Sequence, residues 1–114
     1  MNSTTKKSFP IGQLMMTARI HEYMNSSTLF YRFVFGCIDR HKIGDWGDVS
    51  HHDQETNDIA LDHGGRIISS YNLPTASQRE ISLWLAAAIT DESRIWIITD
   101  ADRKHTTVLF PSDY

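Results

Sequence analysis

Residues 94–110 read RIWIITDADRKHTTVLF, and this stretch decides the fold. Two runs rich in β-branched and aromatic residues, 94–100 and 105–110, flank the short segment ADRK at 101–104. That spacing predicts an antiparallel β-hairpin, and Pro111 cannot extend its second strand. Upstream, Arg66 to Asn72 (RIISSYN) has the same β-forming character and stops before Pro74, so it reads as a third strand over 66–72. Ile11 to Met16 is a candidate fourth.

Helical patterns occupy the rest. Ser77 followed by Glu80 has the form of a capping box ahead of ISLWLAAAI, which predicts a helix over 77–89 containing Trp84. Ser50 and Asp53 repeat the pattern, predicting a helix over 51–63 closed by Gly64 and Gly65. That helix is mostly polar, with Ile59, Ala60 and His63 as its expected buried face. Ser26 or Ser27 can cap a helix over 28–40, where Leu29, Phe33 and Cys37 align beside Phe30, Val34 and Ile38. Thr17 can cap a shorter one over 18–24. The expected fold is α+β: a small antiparallel sheet packed with three to four helices, forming one domain over 9–114 behind a polar, disordered tip at 1–8.

Composition narrows the function classes. The chain has 114 residues, 40% hydrophobic and 22% charged, in the range of a globular domain. Its formal charge of −3 disfavours direct nucleic-acid binding over a broad surface. Cys37 is the only cysteine, so neither an internal disulfide nor a multi-cysteine zinc site can form, and a cytoplasmic location is expected. The longest apolar run, Leu83 to Ile89, is too short to cross a bilayer, so no membrane association is expected. The sequence contains neither the P-loop pattern nor a dinucleotide-binding glycine pattern, and no cofactor is expected.

Four groups of residues invite chemistry. The loop after the 28–40 helix gathers Arg40, His41, Asp45, Trp46 and Asp48 around Gly44 and Gly47, as functional loops do. A structural turn explains the same residues, with Trp46 plugging the core and the aspartates capping backbone N–H groups. The hairpin tip holds Asp100, Asp102 and Arg103; paired carboxylates can bind metal or move protons, yet a polar turn accounts for them too. Six histidines are many for this length, but no pair has the i, i+4 spacing of a helical zinc site, and no metal is expected. Finally, His41, Arg66, a serine at 69 or 70 and Tyr71 could together serve a small nuclease.

The segments His41, GDWGDV (44–49), Asn57, Ala60, Leu61, GGRIISSY (64–71), RIWIITDADR (94–103) and TTVLFPSDY (106–114) resemble a family of short proteins carried on bacterial plasmids, integrative elements and phages. Its members go by names such as plasmid-related protein or type I restriction enzyme subunit M. The resemblance covers about two thirds of the chain and departs from the family pattern between Pro74 and Arg94, where the 77–89 helix is added. A modification subunit needs a methyltransferase domain with a cofactor loop, which this chain lacks. The resemblance implies residence on a mobile element. With the mild acidity, it leads to the expectation of an inhibitor of a host defence complex, anti-CRISPR or anti-restriction, acting by surface occupation. Asp45, Trp46, Asp48, Trp84, Asp100, Asp102 and Arg103 are the expected contact residues. Two alternatives remain: a toxin-like or nuclease enzyme using His41, Arg66 and Tyr71, and an accessory subunit of plasmid or phage machinery. A homodimer stays open.

Overall fold

The computed structural model describes residues 8–73 and 93–114. The expected tip at 1–8, save Ser8, and the expected helix 77–89 with Trp84 lie outside them. The described chain is α+β, with strands β1 (Gln13–Met16), β2 (Ile67–Asn72), β3 (Arg94–Thr99) and β4 (His105–Leu109) and helices α1 (Ala18–Ser26), α2 (Thr28–Lys42) and α3 (His51–His63). A short 3-10 turn at Pro111–Asp113 follows β4.

The sheet order is β1-β4-β3-β2. The 94–110 hairpin forms as expected, with Thr99 opposite Thr106 and Ile97 opposite Val108, and β2 adds antiparallel to β3 with Ser70 opposite Trp96. β1 departs from the antiparallel expectation and runs parallel to β4, Leu14 lying opposite Thr106. The entry to β1 explains this: Gln13 donates its N–H to the carbonyl of Lys104 in the hairpin tip, so the strand is fed in beside the start of β4. Gly12 takes a left-handed φ of 64° there, and a Cβ would strike the Lys104 and Arg103 carbonyls.

Helices α1 and α2 cover one face of the sheet. Ile20, Tyr23 and Met24 from α1 and Phe30, Val34, Cys37 and Ile38 from α2 pack on Tyr71, Ile95, Ile97, Val108 and Phe110. Tyr23 and Phe30 both meet the Phe110 ring, at centroid distances of 5.8 and 6.1 Å. Leu29, expected in this stripe, is instead 42% exposed, because the buried stripe runs through 30, 34, 37, 38 and 41. Ser27 caps α2 by accepting from the Phe30 N–H. Thr17 stands at the N-cap of α1 but makes no cap bond; its hydroxyl donates to Asp113 Oδ2 at 2.9 Å. Asp113 also accepts from Arg19, so the C-terminal turn is tied to the start of α1.

α3 lies along the outer edge of β2, where its Ala60 packs with Ile67, Phe9 and Trp46, and Ser50 caps it through the Asp53 N–H. Its buried face matches the expected one only at Ala60: Asn57 is buried beside it, while Ile59 is 62% exposed and His63 is exposed. The reason is polar. The Asn57 amide donates to the Ile68 carbonyl at 2.8 Å and accepts from the Ile68 N–H at 3.2 Å, taking the place of a neighbouring strand. Further along the edge, Ser70 N–H donates to the Trp46 carbonyl, Asp48 N–H to the Ser70 carbonyl, and Asn72 N–H to Asp48 Oδ2. These outward backbone groups of Ile68, Ser70 and Asn72 are therefore occupied, which blunts this edge as a template for pairing.

Candidate functional site

The loop singled out in the sequence, 41–48, starts inside the core. His41 belongs to the last turn of α2 and continues its buried stripe, which aims the imidazole at the sheet. It is fully buried. Its Nδ1 lies 2.6 Å from Ser69 Oγ on β2, and its Nε2 lies 2.8 Å from Thr99 Oγ1 on β3. Thr99 Oγ1 is 2.7 Å from Thr106 Oγ1 on β4, which donates to the Ile11 carbonyl at 2.7 Å. The four side chains form one hydrogen-bonded row across three strands.

The proton positions in this row follow from its end. A hydroxyl has one proton and a carbonyl has none. Thr106 spends its proton on Ile11, so Thr99 donates to Thr106, and His41 Nε2–H donates to Thr99. A neutral imidazole then has Nδ1 as acceptor, and Ser69 donates to it. Burial and, secondarily, the positive charge of Arg103 push the His41 pKa down to about 4, which favours the neutral ring. Phe9 and Trp46 close over the ring edge-on, at centroid distances of 5.3 and 5.8 Å.

The remaining loop residues hold the backbone. Asp45 accepts from Arg40 Nε at 2.7 Å and Nη2 at 3.1 Å, and its Oδ1 also accepts from the Gly47 N–H. Tyr71 donates its hydroxyl to the Asp45 carbonyl at 2.7 Å, and burial pushes its pKa up. Trp46 is only 2% exposed and donates Nε1–H to Asp58 of α3. It was expected at a contact surface but is committed to the core, because the loop folds inward against Ile67 and Phe9. Gly47, with φ 76°, lets the loop run beside β2; a Cβ there would strike the Ser70 carbonyl and the Tyr71 ring. Cys37 is buried, and burial raises its thiol to about 12, far from a reactive thiolate.

The hairpin tip is likewise structural in its contacts. Asp102 Oδ1 accepts from the Lys104 N–H, the Asx-type turn its sequence suggests. Arg103, the only described non-glycine residue with positive φ, at 62°, forms no ion pair with a described carboxylate. Its guanidinium donates to the Gly65 carbonyl at 2.7 Å and to the Ala60 carbonyl at 2.8 Å, so it binds the open carbonyl end of α3. Asp100 and Asp102 remain exposed on the surface. No group of three or more potential metal ligands occurs among the described residues.

The residues proposed for a nuclease do not converge. His41 is enclosed on the α1–α2 face, whereas Arg66 is exposed at the start of β2 and donates to the Tyr114 hydroxyl at 2.8 Å. Tyr71 is bonded to the loop instead. Thr99 and Thr106, the partners that complete the His41 row, stand in the sequence only as neighbours of the hairpin-tip carboxylates, with nothing to link them to His41. The signal lay at His41 itself, since helical spacing places it in the apolar stripe, and a buried imidazole needs two partners. No described helix is long and apolar enough to cross a membrane. Comparison with protein-family models, with curated proteins and with solved structures finds no match.

Proposed function

We propose that this protein acts as a binding module, and that its partner is a host defence complex, CRISPR or restriction, which it inhibits from a mobile element by occupying a surface. The observation that carries the choice of binding over turnover is the state of His41: fully buried, with both ring nitrogens engaged by hydroxyls. General acid–base chemistry needs a nitrogen within reach of a substrate proton. The surface best suited to a partner is the outer side of α3, where helical spacing sets exposed Glu55 and Asp62 beside exposed Ile59. An acidic face with an apolar centre complements a basic groove, the kind of surface with which defence complexes hold nucleic acid. The accessory-subunit alternative shares this binding chemistry and differs only in the partner.

The nuclease or toxin reading draws on one specific contact, the Ser69 hydroxyl donating to His41, a nucleophile–base geometry. It requires Phe9 and Trp46 to leave the ring. Co-purification with defence complexes, together with interference assays in cells, tests the leading proposal. Protection of an invading phage that disappears with Glu55→Lys and Asp62→Lys is the expected result; no association and no protection across a panel of systems would overturn it. Growth arrest relieved by His41→Ala would favour the enzyme.

A further inference from the structure

We infer that the groove between the first half of α3 and the outer face of β2 and β3 is a binding site for a small organic anion that contains a planar ring and carries an N–H donor at the end far from its charge. The groove holds about 460 Å³, the size range of sites for small organic ligands. Arg66, just before β2, and Ile68 and Ser70 on it line the groove together and, like Arg94 and Trp96 of β3, belong to the face opposite the His41 row. Val49, Asp53 and Thr56 contribute to the other wall.

Ser70 is the reason to regard this groove as more than a surface depression. Its side chain is buried, at 4% exposure, and among the described residues its Oγ is the only buried side-chain polar atom without a hydrogen-bond partner. A buried hydroxyl left unpaired destabilises a fold, and alanine would fit the same place. Functional sites are where such local costs are retained. Ser69, its chain neighbour on the opposite face, is fully paired.

The lining orients the ligand. Arg94 lies opposite Asn72, whose N–H is held by Asp48, so that end of the groove combines one guanidinium with the carboxylates of Asp48 and Asp53. An N–H donor suits it. At the other end, Arg66 stands next to Tyr114, with its guanidinium carbon 5.7 Å from the ring centre. A planar guanidinium fork matches a carboxylate or a phosphate. Between them, Trp96 and Ile68 offer an apolar bed for a ring, with Ser70 Oγ able to donate to a ring heteroatom. A nucleoside monophosphate and an aminoaryl carboxylate share this chemistry. The site is separate from the outward acidic face of α3, and it can hold whether or not the proposed partner does.

The test is titration of the full-length protein with adenosine monophosphate, with 4-aminobenzoate and with inorganic phosphate, followed by calorimetry and by shifts of backbone amides. Saturable binding of either planar anion with Kd below about 1 mM is expected, and which one binds identifies the source. Ser70→Ala should weaken it at least about tenfold, one step of 1.4 kcal/mol, while leaving Tm unchanged or raised. Arg66→Ala should weaken it similarly. Saturable binding of neither planar anion, binding of inorganic phosphate as tight as either, or affinity untouched by both substitutions would overturn the assignment.

Discussion

Ser69 and Ser70 are consecutive residues of β2, and they meet opposite fates. Ser69 points under α2 into a closed row of donors and acceptors running through His41, Thr99 and Thr106 to the Ile11 carbonyl. Ser70 points toward the groove beside α3, with no partner for its hydroxyl among the described residues. One face of the sheet has spent its polar capacity on itself, and the other has kept some in reserve. Polar side chains of the same type, one residue apart, therefore carry different meanings: the first holds three strands and a helix in register, and the second is available to a ligand.

Removing the centre of the closed face should have the largest effect. His41→Ala leaves a cavity and strips partners from Ser69 and Thr99, so a loss of about 3–5 kcal/mol is expected in denaturant unfolding. Retention of wild-type stability would show that the row is not a structural unit. The same face should respond to pH. His41 titrates near 4 in the folded chain and near its ordinary 6.5 when unfolded, so the unfolded state takes up the proton first as pH falls. Its contribution is complete above pH 6.5 and is lost as pH falls toward 4, by about 3 kcal/mol in all. His41→Leu should flatten that part of the stability profile.

The paired serines give the sharpest contrast. Ser69→Ala should cost about 1–3 kcal/mol by orphaning Nδ1 of His41, whereas Ser70→Ala should cost nothing or stabilise. Equal losses at both positions would erase the distinction between the faces. The smallest effect is expected at Arg94, exposed at the mouth of the groove: Arg94→Ala should change stability by less than about 0.5 kcal/mol.

Local signals explain what was legible in advance. The hairpin followed from two β-rich runs separated by the four residues ADRK, and the 51–63 helix from Ser50, Asp53 and the paired glycines, because caps and turns act within a few residues. The misjudged positions involve distant partners. Apolar periodicity assigned Ile59 to the buried face of α3, but the helix is oriented by Asn57 bonding a strand edge eleven residues on. Trp46 carries no local mark telling a core plug from an exposed contact. Arg103 has the composition of an ion-pair partner in a polar turn, yet it binds carbonyls at the end of α3 that only the folded chain brings near.

By itself, the sequence determined the α+β composition, the hairpin and the helices 18–24, 28–40 and 51–63 to within two residues, since these depend on propensity, periodicity and capping over short stretches. Tertiary structure alone decided that β1 would run parallel to β4, that His41 would be sealed with two hydroxyls, and that Arg66 and Tyr71 would be kept from it. Those outcomes rest on hydrogen bonds between residues tens of positions apart. Buried polar groups must find such partners wherever the folded chain supplies them.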